Sequence, residues 1–191
     1  MEKNEDRRVR KTKKALREAL ISLLNEKSLQ NITVRELTSR ADIHRSTFYA
    51  NFEDIYALYA HTEESIAAEI SDLAGMSATQ FFGGLISYVN ENRQTARLFL
   101  TSADFSARLT SIFADSCAEC WRNEYGVTTA PAEMEYHIQF CLSGAIGAVA
   151  KWVAEDFKYP AEELAAHLAD LDAAVANSVG PRKFAPTKTY R

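Results

Sequence analysis

The sequence predicts an all-α protein. Apolar residues recur at three- and four-residue spacing, as in Leu16, Ala19, Leu20, Leu23 and Leu24, the pattern of an amphipathic helix. Alternating β-branched stretches are nearly absent, and only four prolines and seven glycines punctuate 191 residues. No apolar run approaches the roughly 20 residues that span a bilayer. The start, "MEKNEDRRVRKTKKALREAL", is charged throughout with no apolar core, so a cytoplasmic protein is expected. Three cysteines, an odd and small number, argue against a disulfide framework.

The first helix is expected from about Arg7 to Asn25. In "NITVRELTSRA", Thr33 and Glu36 fit a capping box, in which each side chain satisfies a backbone amide of the first turn. Val34, Leu37 and Ala41 then face inward over about two turns. "ADI" is a turn, and Asp42 tolerates the left-handed backbone such a turn needs better than most residues. A third helix follows from His44 to Ala50. A long helix starts near Glu53, and two more lie in "SATQFFGGLISYVNENR" and "QTARLFLTS". Gly83 and Gly84 weaken the first of these by about 1 kcal/mol each. "ADFSARLTSIFADSCAECWRNEYG" ends at Gly126 as a C′ residue. After the "VTTAP" loop come a strongly apolar helix (about 132–157) and a last one (about 161–178), with Pro160 near its start and Gly180 past its end. "PRKFAPTKTYR" lacks periodicity and is expected to be a disordered basic tail.

Charge divides the chain in the same way. Residues 1–54 hold 12 Lys/Arg against 9 Asp/Glu, a net of +3. Residues 55–180 hold 6 against 17, a net of −11, and residues 181–191 hold four cations and no acid. A basic head on an acidic body suits a head that meets a polyanion. The densest run, "RRVRKTKK" at 7–14, carries six cations.

Two short helices joined by a tight turn and braced on a longer one make a helix-turn-helix, whose second helix enters a major groove by its N-terminal end. Arg45 can donate two bonds to a guanine edge. His44, Ser46 and Thr47 carry short polar groups that reach a phosphate backbone, and Tyr49 can set its hydroxyl on a phosphate. Phe48 and Phe52 suit anchoring in the core. Arg10 and Lys14 from the basic run, with Thr33 and Arg35 at the start of the second helix, complete the expected DNA-binding set.

The segment from about Arg10 to Leu58 resembles the DNA-binding domain of the TetR family of transcriptional regulators, through "ITVRELTSRADIHRSTFYANFEDIYAL". The resemblance implies a two-domain all-helical homodimer: residues 1–54 bind a double-stranded DNA operator, and the bundle of 55–180 dimerises and holds a small-molecule inducer. It also places Thr33, His44, Arg45, Thr47 and Tyr49 on positions that commonly touch DNA. Three positions depart from the family pattern. Asp42 replaces a Gly, His44 replaces a capping Ser, and Ile55 stands where many members carry a Lys. The stretch "GAIGAVAKWVAEDFKYPAEELAAHL" is similar to a branch that includes the activator partnered with dihydroxyacetone kinase proteins. A ligand-responsive repressor is therefore the leading expectation. The alternative is an activator or co-regulator that works through protein partners with weak or lost DNA binding.

In the C-terminal half, Gly144, Gly147 and the alanines around them let another helix approach closely, and the resemblance assigns the last two helices to a symmetric dimer interface. Cys117 and Cys120, at i and i+3, and His137 and Cys141, at i and i+4, could converge as zinc ligands or form a dithiol switch; the plainer reading is three small buried apolar residues. No cofactor is expected. The chain lacks a Gly-rich phosphate loop, G-x-S-x-G and H-E-x-x-H, so an enzyme is not expected.

Overall fold

The computed structural model describes residues 2–73, 75–100, 102–128 and 131–179, with side chains from Arg7 onward and excepting Pro131. Gly180 and the expected basic tail lie outside the described residues. Among these, nine α-helices and one 3-10 turn make up the fold, and no strand occurs. The helices are α1 (Glu2–Leu24), α2 (Val34–Arg40), α3 (Arg45–Tyr49), α4 (Ile55–Ser71), α5 (Ala78–Glu91), α6 (Arg93–Phe99), α7 (Ala103–Tyr125), α8 (Pro131–Ala154) and α9 (Ala161–Ser178). The basic run is part of α1, which begins five residues before the expected start at Arg7.

Two hydrophobic cores share this frame. The first joins Leu16, Leu20 and Leu23 of α1 to Leu37, Phe48, Phe52, Ile55 and Leu58. The second fills the body with α4 to α9 and takes in Phe82, Phe99, Phe105, Trp121, Val149 and Trp152. Helix α4 serves both, since Ile55 and Leu58 face the head while Ile66 and Ile70 face the body. In the body, α5 packs chiefly along α9 and α7 along α8.

Helix ends follow the local chemistry. Ser77 and Gln80 form a second capping box at α5, and Gly126 ends α7 in the left-handed region with φ 64°. The turn after α8 is less ordinary, because Asp156 and Phe157 both have positive φ, 60° and 58°. A phenylalanine there is unusual. Its ring is held by Arg93 and Arg97, whose guanidinium carbons lie 4.5 and 5.3 Å from the ring centre. Arg97 also pairs with Asp156. This clamp sets the reversal that brings α9 back across the body.

Candidate nucleic-acid interface and inner cavity

The head presents α3 through a chain of local bonds. At the start of α2, Glu36 N–H donates to the Thr33 hydroxyl at 3.3 Å, and Thr33 N–H donates to Glu36 Oε2 at 3.0 Å. Lys27 Nζ reaches the other carboxylate oxygen at 2.6 Å. These bonds, Lys27 first, hold the Glu36 carboxyl down at about 2. At the turn, Ile43 N–H donates to the Thr38 carbonyl at 3.0 Å, and Asp42 adopts φ 53°, as its place in the turn requires. His44 is the N-cap of α3 but makes no side-chain capping bond. It leaves the α3 amides without the side-chain partner that Ser would offer.

Helix α3 has two faces. Phe48 is wholly buried, and Phe52 just beyond the helix is nearly so. Lys13 lies 5.7 Å over the Phe52 ring, and His61 meets that ring edge-on at 5.3 Å. On the opposite side Arg45 and Ser46 are exposed and Tyr49 is 49% exposed. Arg45 Nη2 donates to the Tyr49 hydroxyl at 3.2 Å, and its guanidinium lies 5.5 Å from the ring centre. The two side chains most suited to base and phosphate contact thus already form a pair. Thr33, Arg35 and His44 are exposed, and Thr47 is half-buried. Arg10 and Lys14 are exposed on α1, with Lys14 3.9 Å from Glu18. Ile55 is buried in the head core, so the missing cation at that position is an apolar anchor instead.

The body holds a second feature. A cavity of about 40 Å³ lies among α5, α7, α8 and α9, lined by Phe81, Phe82, Phe113, Cys117, Cys120 and Asp172, among others. Asp172 is 5% exposed. Its Oδ1 accepts from the Trp121 indole at 3.0 Å and from the Cys141 thiol at 3.1 Å. Burial raises its carboxyl above the usual carboxylate range and outweighs both bonds. Burial likewise raises all three thiols, Cys120 to about 11, so none is poised as the thiolate a redox switch needs. The zinc convergence that helical register allowed does not form. His137 Nδ1 is bonded one turn back to the Glu133 carbonyl at 2.8 Å, and among the described residues no three ligands gather for a metal. The Asp172 cluster escaped the sequence reading, although its signal was there. Asp172 falls on the buried stripe of α9 with Leu168, Ala169 and Ala176.

The outer face of α8 carries a stripe at four-, four- and three-residue spacing: Tyr136, Phe140, Gly144 and Gly147. Tyr136 is 79% and Phe140 70% exposed, and Leu171 on α9 is 62% exposed. A Cβ added at either glycine would meet nothing within 4 Å. Among the described residues no packing requires glycine there.

A helix-turn-helix head with an exposed face on its second short helix, joined through one shared helix to an all-helical body, is the architecture of a DNA-binding transcriptional regulator. The family model TetR_C_8, described as Transcriptional regulator C-terminal region, matches residues 77–171. The chain belongs to the TetR family of transcriptional regulators. A TetR transcriptional regulator from Streptococcus agalactiae 2603V is similar at 25% identity and TM-score 0.66, over 90% of this chain and 99% of that one. The dihydroxyacetone kinase operon activator DhaS superposes with TM-score 0.71 at 16% identity, over 88% and 97% of the two chains, which is a likeness of fold. The same holds for the regulator FadR from Bacillus subtilis in complex with stearoyl-CoA, at TM-score 0.64 and 15% identity over 84% and 97%. No curated protein matches the sequence. Among the described residues no helix is long and apolar enough to cross a membrane.

Proposed function

We propose that the protein is a homodimeric repressor that reads a two-fold operator through α3 and leaves it when a small molecule enters the body. In this reading residues 1–54 are the DNA-binding head and residues 55–180 the ligand-binding and dimerising body. The observation that carries the reading is the division of α3: Phe48 is sealed into the core while Arg45 and Tyr49 stand paired on the open side. Arg45 reads a base edge, and Tyr49, Ser46, Thr47 and His44 hold the backbone. Thr33, Arg35, Arg10 and Lys14 add phosphate contacts at the flanks. A two-fold operator needs two heads, and the apolar stripe of α8 with Leu171 of α9 is the face for a second copy. The second reading is an activator or co-regulator that works through protein partners with weak or lost DNA binding, favoured by Asp42 and the buried Ile55, which place a negative charge at the turn and no cation at the start of α4.

Fluorescence anisotropy with the duplex immediately upstream of the protein's own coding sequence tests the assignment. Arg45→Ala is expected to cost about 1–3 kcal/mol of operator affinity with the fold intact. Unchanged affinity and sequence preference would remove Arg45 as a base reader. A promoter-reporter assay then gives the sign of regulation.

A further inference from the structure

We propose that the cavity beside Asp172 receives a small organic monocation with an apolar body, whose ammonium pairs with the Asp172 carboxylate. The proposal rests on the reading of the body as an effector-binding domain and names the chemistry of the effector.

A carboxyl group taken out of water must be paired or neutralised. The two donors on Asp172, an indole N–H and a thiol, both end on Oδ1 and are uncharged. Among the described residues no Lys, Arg or His pairs with Asp172, and the charged group that acts on it is a second acid, Glu124. Among the described residues the protein therefore supplies no countercharge, and a bound cation would favour the ionised carboxylate that burial alone disfavours. Apart from Ser116 and the thiols of Cys117 and Cys120, the rest of the lining is apolar and aromatic, and aromatic rings such as Phe81 and Phe113 can attract a cation through their faces. An anion would meet Asp172 and Glu124. A neutral guest would leave the carboxyl as it is and gain only apolar contact. The volume of about 40 Å³ admits a compact guest, and the exposed Met76 at the α4–α5 connection also lines the cavity.

The test uses three two-carbon probes that differ in charge: ethylamine, which is cationic at pH 7.5, ethanol and acetate. The full-length protein is titrated by calorimetry and thermal unfolding without DNA. Binding and a concentration-dependent rise in Tm are expected for the amine alone. Asp172→Asn keeps an acceptor for Trp121 and Cys141 and is expected to weaken the amine at least tenfold. Phe113→Leu, which keeps Asp172 and removes one ring, is expected to weaken it about threefold. Equal binding of ethanol, no binding of the amine, or full amine affinity in Asp172→Asn would overturn the proposal. The effector reading is judged separately by adding the amine to the protein–DNA complex. Amine binding that leaves DNA affinity unchanged would refute the effector reading and leave the cation site standing.

Discussion

Arg17 on α1 and Glu69 on α4 form a two-pronged ion pair across the junction between head and body. Arg17 Nη2 donates to Glu69 Oε2 at 3.1 Å, and Nη1 reaches both Oε1 and the Ser65 hydroxyl. Tyr88 of α5 donates to the same carboxylate at 2.7 Å. Three helices thus meet on one group. Partial burial would raise the Glu69 carboxyl, but the bonds from Arg17 and Tyr88 prevail and it lies below its ordinary value. Arg17 is largely covered, while Glu69 keeps 41% of its side chain in solvent.

Arg17→Ala is therefore expected to cost about 1 kcal/mol, below the usual range for charged hydrogen bonds because Glu69 remains hydrated. Urea unfolding of Arg17→Ala, Glu69→Gln and the double variant measures it. The two single losses should be far from additive, since both remove the same link. Full additivity would show that the pair does not couple α1 to α4.

The Asp42 backbone makes a prediction of the opposite sign. At φ 53° the residue occupies a region where glycine carries no side-chain penalty. Asp42→Gly is expected to stabilise the head by roughly 0.5 kcal/mol, the relief of that strain less the extra freedom of glycine in the unfolded chain. It also removes an anion from the turn that aims α3, so non-specific DNA affinity should rise. Thermal unfolding and binding to a random duplex check the two effects, and a destabilised variant would mean that Asp42 is held by more than its backbone.

Glu36 gives the head a pH dependence. Its carboxyl sits at about 2 in the folded protein against an ordinary value of 4.5, through Lys27 and then Thr33. A depressed folded value means that the bonds stabilise fully above about 4.5 and that this contribution disappears as pH falls toward about 2. The melting temperature of the native protein should therefore exceed that of Glu36→Gln at pH 6, and the gap should close on acidification. A gap that stays constant from pH 6 to 3 would assign the effect of the variant to something other than ionisation.

The head was more legible in the sequence than the body for a physical reason. Its short helices need explicit start and turn signals, and Thr33, Glu36 and Asp42 supply them in the text. Phe48 and Phe52 are large enough to declare an anchoring face. In the body the helices are long and apolar on several sides, so periodicity places them without saying which side meets which neighbour. The cysteine and histidine spacing permitted a convergence that packing did not make, because His137 turns back onto its own helix. The α9 stripe marks Asp172 as buried, but its meeting with Trp121 and Cys141 depends on the register of α9 against α7 and α8, which no local pattern states.

The α8 stripe yields the prediction that separates interface from fold. Tyr136 and Phe140 are large and exposed, and Gly144 and Gly147 continue the same line with open space where their side chains would be. Within one chain, a side chain at Gly144 starts into open space on an exposed face, and in a helix interior Gly144→Leu gains close to 1 kcal/mol in propensity. Against a second copy packed on that stripe, the same leucine fills the space the partner backbone would occupy. Sedimentation velocity is expected to move Gly144→Leu from twice the chain mass to the chain mass, while the monomer stays helical by circular dichroism. Phe140→Arg should act in the same direction by placing a charge in an apolar contact. Because leucine favours the helix, a loss of dimer in Gly144→Leu cannot be ascribed to unfolding. A variant that remained a dimer would move the contact to another face.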